Sequence, residues 1–189
     1  METADIPVAG AFSWGDDAST EAFYDTCLPK LVKLQVIGLG VTEAGLATAD
    51  TPIMTALYQF LARVKQLQQE NPAWREHREK DPGKLCIIDM DNMPNNGTTL
   101  RKHMLKLAAE DPSMLLWLES QVAFLDTMVD RITSQREGSN GLVPRAEPVP
   151  AKALVVLDPH SDLPPWVPEQ QNQKDDDDSL GLVIRTNAN

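Results

Sequence analysis

The stretch that decides the fold is LCIIDMDNMPNNGTTLRKHMLKLA, residues 85–108. It begins as a short apolar run, LCIIDM (85–90), of the length and β-branched content of a strand buried on both faces. It then changes character within two residues. Two aspartates, three asparagines, a proline and a glycine fill 89–97, the composition of a turn in which side chains compete for backbone hydrogen bonds. Behind Gly97, Leu100, Met104, Leu107 and Ala108 recur at helical spacing, so the period switches from that of a strand to that of a helix.

The same alternation extends in both directions. LVKLQVIGLGV (31–41) reads as an earlier buried strand. Thr51-Pro52 follows as a cap residue with proline at the first helical position, and Ile53, Leu57, Phe60, Leu61, Val64 and Leu67 give an amphipathic helix to about Gln69. NPAWREHREKDPG (71–83) is polar and broken by prolines and reads as a surface connection. Asp111-Pro112 opens another helix, carrying Leu115, Leu118, Val122 and Phe124. AKALVVLD (151–158) and LGLVIR (180–185) are further extended pieces, joined by proline-rich connections. Strand and helix in alternation predict βαβ units: an α/β fold with a mostly parallel sheet. The expected organisation is a loose lead-in over 1–30 and one domain over 31–189, with an acidic loop near 169–179.

The 189 residues suit about one domain. With 17 Lys+Arg against 28 Asp+Glu, the net charge of −11 argues against a nucleic-acid or anionic-membrane partner, both of which need a basic footprint. Much of that charge is the run Lys174–Asp178, read as a solvated loop. No opening signal segment and no bilayer-length apolar stretch is present, and the two cysteines, Cys27 and Cys86, lack metal-ligand spacing. The expectation is a cytoplasmic protein with free thiols and no metal.

Three chemical readings of these motifs can be compared. Counted from Asp89, a calcium loop would need glycine at its sixth position and glutamate at its twelfth; the chain has Pro94 and Leu100, which excludes an EF-hand. GLGVTEAG (38–45) approaches a dinucleotide fingerprint, but its third glycine comes late and Glu43 would repel a pyrophosphate. The third reading places a ligand site beyond the carboxyl ends of the strands, where open parallel sheets bind ligands. There LCIIDM delivers Asp91 and Asn92, and QVIGLGV delivers Thr42 and Glu43 to the same rim. An asparagine amide in that place can donate to a substrate oxygen that gains negative charge. Alternatively Asn92, Asn95 and Asn96 make turn bonds before a helix, and the residues alone leave the two alternatives even.

The run DNMPNNGTTLRKHMLKLAAEDPSMLLWLESQVAFLDTMVDRIT (91–133) resembles the D-N-x-x-x-N-G, R-K, D-P with tryptophan, and M-V-D-R-I-T blocks of the mannitol dehydrogenase family, the polyol- and hexuronate-specific long-chain dehydrogenases. VTEAGL (41–46) is similar to the family's T-E-x-G strand end, and RAEPVPAKALVVLD (145–158) to its E-P-x…W-V-x-x-D stretch, so the resemblance covers roughly 31–186. It implies hydride transfer between a polyol or aldonate and the corresponding ketose or ketouronate, with NAD or NADP and without metal. It implies an oxyanion-hole role for Asn92 and substrate contact for Asp130 and Arg131, with Thr42 and Glu43 on the cofactor side. Two family features have no counterpart in these residues, the G-x-G-x-F-x-R loop and the lysine of K-x-x-x-x-N-x-x-H, so the resemblance implies an incomplete Rossmann-like domain, expected to lack its first strands and the helical C-terminal domain. Ser134 stands where the family has proline after D-R-I-T. The chain by itself is therefore expected to be inactive, and pairing with a partner protein chain, as a non-catalytic binding module, is the alternative. His77, His103 and His160 fall in none of these motifs and read as surface residues.

Overall fold

The computed structural model describes residues 16–129, 133–135, 144–146, 153–167 and 181–185. The helices are α1 (Asp17–Ala22), α2 (Pro52–Glu70), α3 (Pro72–Lys80), α4 (Asn96–Leu107) and α5 (Pro112–Gln121). The strands are β1 (Val36–Leu39), β2 (Leu85–Asp89), β3 (Val122–Val129), β4 (Thr133–Gln135), β5 (Pro144–Ala146), β6 (Ala153–Leu157) and β7 (Gly181–Arg185). Five strands form one sheet in the order β1-β2-β3-β6-β7, and β4 pairs with β5 separately. β1, β2 and β3 are parallel; β6 joins β3 antiparallel and takes β7 as a parallel neighbour. The mostly parallel α/β sheet expected from the alternation is therefore present.

β3 divides its pairing along its length. Val122–Leu125 lie against Leu85–Ile88 of β2, and Asp126–Val129 lie against Leu154–Leu157 of β6.

The main core lies between one sheet face and the helices. Met54, Leu57, Phe60, Leu61 and Val64 recur three or four residues apart, the spacing that gives α2 one buried stripe, and they meet Leu85 and Ile87 of β2 and Leu100 and Met104 of α4. On the other face a smaller cluster joins Cys86, Ala123, Leu125 and Val156, with Leu163 packed against it. Asp158 holds the chain there by accepting from the Asp162 and Leu163 amides at 2.8 and 2.9 Å.

Several expectations require correction. Only Val36–Leu39 of the run 31–41 forms a strand, and it is half-buried because it sits at the sheet edge. Within the segment expected as a loose lead-in, helical turns run from Asp17 to Lys30 and Leu28 is fully buried. The supposed surface connection after Asn71 is a helix, α3. Asn71 Oδ1 accepts from the Ala73 and Trp74 amides, Pro72 takes the first helical position, and Trp74 is buried with its Nε1 donating to the Pro29 carbonyl at 3.1 Å. Val122 and Phe124 belong to β3 rather than to α5. The helix passes into the strand with no intervening loop, and alternation between the two sheet faces replaces helical spacing at that point. His103 is half-buried on α4, its Nε2 2.9 Å from the Leu46 carbonyl.

Candidate active-site rim

β1, β2 and β3 present their carboxyl ends together, and buried polar contacts hold them there. Asp89, the last residue of β2, is fully buried, and its Oδ1 accepts from the Val41 amide at 3.0 Å. That bond fixes the turn carrying Thr42 and Glu43 to the end of β2. The other oxygen, Oδ2, has no hydrogen-bond partner among the described residues. Burial pushes the Asp89 carboxyl above its ordinary value, and the charge of Asp91 pushes the same way. The Val41 amide, which favours the charged form, opposes burial without cancelling it.

Asn96 ties the loop to β3. Its Nδ2 lies 3.2 Å from the carbonyls of both Asp89 and Asp91 and 2.7 Å from Thr127 Oγ1. Its Oδ1 accepts from the Gly97 amide at 2.8 Å and the Thr127 amide at 2.9 Å. Thr127 Oγ1 in turn donates to the Asp89 carbonyl. Asn96 is fully buried, so each of these bonds forms in a dry setting where an unmade one is costly. Gly97 is equally constrained: a Cβ there would sit 2.3 Å from the Leu125 carbonyl carbon and 2.7 Å from the Asp126 nitrogen. The start of α4 thus rests directly on the β3 backbone. Asn95 turns the chain into the helix with φ 55°, a left-handed conformation that asparagine tolerates better than most residues.

The asparagines of this stretch divide their work accordingly. Asn95 and Asn96 make the turn and the tie, which is the role the turn alternative assigns them. Asn92 is exposed at the rim, and no other described residue engages its amide. Thr42 and Glu43 are exposed on the neighbouring turn. The structure thus brings Asn92 and the Thr42–Glu43 turn to the same end of the sheet. Asp130 and Arg131 lie outside the described residues; Val129, which precedes them, ends β3. Sequence reading named Asn96 only as a turn residue and missed the parts of Asp89, Asp126 and Thr127. The available signal was Asn-Gly at the start of an amphipathic helix, where a small residue marks close backbone approach.

A family model, the mannitol dehydrogenase Rossmann domain, matches residues 13–175. The chain belongs to the mannitol dehydrogenase family. It is 27% identical over 110 residues to the polyol:NADP oxidoreductase of Gluconobacter oxydans, covering 53% of this chain and 23% of that one. It is 41% identical over 61 residues to the D-mannonate oxidoreductase of Escherichia coli, covering 32% and 13%. It is 36% identical over 84 residues to the mannitol 2-dehydrogenase of Cereibacter sphaeroides, covering 41% and 17%. Among solved structures, it resembles the Pseudomonas fluorescens mannitol 2-dehydrogenase ternary complex with NAD and D-mannitol. The TM-score there is 0.47 at 23% identity, with 75% of this chain and 32% of that one covered. The matches thus span less than a quarter of the length of these curated relatives.

Mannitol dehydrogenase family membership raises the question of a nicotinamide cofactor, and neither the N-terminus of α4 nor the β1 turn suits its diphosphate. The N-terminus of α4, where backbone amides would favour an anion, is already occupied by a carboxylate. Asp126 accepts from Thr98 N and Thr98 Oγ1, both at 2.8 Å. Glu43 adds negative charge on the β1 turn. Among the described residues no three of His, Cys, Asp and Glu converge as metal donors, and no helix is long and apolar enough to cross a membrane.

Proposed function

We propose that this chain carries the substrate-side rim of an NAD- or NADP-dependent oxidoreductase that interconverts a polyol or aldonate with the corresponding ketose or ketouronate. The observation that supports the reading is the free Asn92 amide on a loop whose neighbours are locked by Asn96 and Asp89. A carbinol oxygen becomes alkoxide-like as its carbon is oxidised, and an amide N–H donated to that oxygen stabilises the charge. Asp130 and Arg131 would hold the substrate's hydroxyl or carboxylate groups, and Thr42 and Glu43 would face the cofactor from the β1 turn. Residues 31–189 are then the later part of a Rossmann domain, in a cytoplasmic enzyme.

The chain alone is expected to be inactive, because the glycine-rich loop and proton-transferring lysine that the resemblance implies are not among its residues. Loss of a general base alone removes about a hundredfold to ten-thousandfold of rate. A second reading, a binding module that pairs with another chain, is favoured by the edge of β1, which no other strand among the described residues pairs with.

A chimera tests the first reading. Residues 85–131 replace the corresponding segment of the Cereibacter sphaeroides mannitol 2-dehydrogenase, and turnover is measured with fructose and NADH. A working rim keeps activity in the chimera and loses about a hundredfold to a thousandfold of kcat on Asn92→Ala. A folded but inactive chimera, or an indifferent Asn92→Ala, refutes the role. Ordinary dehydrogenase turnover by the unmodified chain alone refutes its expected inactivity.

A further inference from the structure

The turn that follows β1 is clasped at both ends. Val41 and Leu46 are buried there, while Thr42, Glu43 and Ala44 are exposed between them. At the first end the Val41 amide donates to Asp89 Oδ1 at 3.0 Å. At the second, His103 Nε2 lies 2.9 Å from the Leu46 carbonyl. A carbonyl can only accept, so Nε2 carries the hydrogen of that bond. Within the turn, Leu46 N donates to the Thr42 carbonyl at 3.1 Å, which ties the exposed tip to the same two anchors.

Both clasps come from the segment that also bears Asn92. Asp89 ends β2, and its own carbonyl accepts from Asn96 Nδ2 at 3.2 Å and from Thr127 Oγ1. His103 follows Asn96 on α4 by about two helical turns. One strand–loop–helix unit therefore carries the Asn92 loop and grips the 41–46 turn.

Stability alone does not account for a carboxylate at position 89. It is fully buried, its Oδ2 has no hydrogen-bond partner among the described residues, and burial pushes it above its ordinary value. An asparagine would present the same acceptor without burying a charge. What the charge adds is grip, since an ionised acceptor holds an N–H roughly twice as strongly as a neutral one. We propose that Asp89 and His103 are positioning residues, which hold the exposed tip Thr42–Ala44 at a set distance from the Asn92 loop and so fix the gap between the two sides of the proposed site. Asp89 does this at a cost to stability. The assignment deepens, and rests on, the reading of this end of the sheet as a nicotinamide-dependent site.

Hydrogen exchange on the full chain reads the clasps with no substrate or cofactor present. Asp89→Leu, which removes the acceptor, should speed exchange at the Val41 amide about tenfold or more, and Asp89→Asn about threefold. His103→Leu should speed exchange about tenfold at the Leu46 amide, which closes the turn onto Thr42. His103→Gln, whose side-chain amide supplies a donor, should restore the slower rate. Asp89→Asn is the diagnostic variant: it should loosen the turn while the Tm stays equal or rises, an opposition that a purely structural role does not give. Should Asp89→Leu not fold, Asp89→Asn and the two His103 variants decide the matter.

The same variants then enter a chimera in which residues 36–131 replace the corresponding segment of the Cereibacter sphaeroides mannitol 2-dehydrogenase. Asp89→Leu and His103→Leu should raise the KM for NADH about tenfold, with the KM for fructose within about twofold, and His103→Gln should recover the parent value. The proposal is overturned if exchange at Val41 and Leu46 ignores these changes, if Asp89→Asn loosens the turn only in step with a lower Tm, or if an active chimera keeps one KM for NADH across the series. A chimera inactive before any of these substitutions refutes the nicotinamide reading, and the role in the site with it. An active chimera that is indifferent to them refutes the positioning role alone.

Discussion

Asn96→Ala should cost this chain far more than its conservative size suggests. The substitution removes the acceptor of two buried N–H groups, those of Gly97 and Thr127, which Asn96 Oδ1 holds at 2.8 and 2.9 Å. The Asp89 carbonyl keeps its bond from Thr127 Oγ1, and the Asp91 carbonyl, less deeply placed, can turn to water. Two orphaned backbone donors at about 1–3 kcal/mol each give roughly 4 kcal/mol, a large share of a typical domain stability of about 5–15 kcal/mol. Water entering the vacated space would lower the cost toward about 2 kcal/mol. Urea denaturation followed by tryptophan fluorescence measures the total, since Trp74 and Trp117 are buried reporters. Amide exchange at Thr127 and Gly97 localises it. Asn92→Ala, at an exposed position in the same loop, should stay within about 0.5 kcal/mol. An Asn96→Ala loss below about 1 kcal/mol, or one equal to that of Asn92→Ala, would refute the separation of the two asparagines into tie and rim.

Further outcomes follow from the same contacts. Gly97→Ala should destabilise by about 3 kcal/mol or more, because its Cβ meets β3 backbone at 2.3 Å; intrinsic helix propensity alone predicts a gain of about 1 kcal/mol, so the sign of the shift in denaturation midpoint decides. Asp89 has a folded-state value above its ordinary one, so its charged form costs stability in full above that folded value, and the cost is relieved as pH falls through it toward the ordinary 3.8. Asp89→Asn should therefore be at least as stable near neutral pH and lose that relative advantage on acidification, while identical midpoint-versus-pH curves for the two proteins would contradict this. Burial pushes the Cys86 thiol up to about 12, leaving about one part in ten thousand as thiolate at pH 8. Maleimide mass mapping should find Cys27 labelled first and Cys86 only under denaturant.

Much of the fold was legible because periodicity reports burial directly. The stripe Leu57, Phe60, Leu61 and Val64 and the run LCIID could each be read as an element without knowing their neighbours. α3 was not legible, because a single buried tryptophan among charged residues leaves no period; what anchors it is the Pro29 carbonyl, some 45 positions away. β3 was missed entirely for a different reason: α5 runs into it without glycine or proline, so the change from helix to strand has no local punctuation. At the rim, the register of Asp91 and Asn92 at a strand end was readable. The burial of Asn96 was not, because it depends on Thr127 arriving from β3, and no spacing rule along the chain predicts that meeting.

The divided pairing of β3 gives the sheet a seam. β2 is laddered to residues up to Leu125 and β6 to residues from Asp126 onward, so no residue of β3 has registered strand partners on both sides. A sheet joined in this way can open as two cooperative blocks, the parallel trio and the β6–β7 flap, each with its own free energy of opening. Thr127 stands on the flap side of that line and Asn96 on the trio side, so the bonds between them act as a rivet across it. The same bonds that tie the start of α4 to β3 therefore set how tightly the flap is latched, and a ligand that stiffens the rim would slow exchange in β7, the far edge of the sheet.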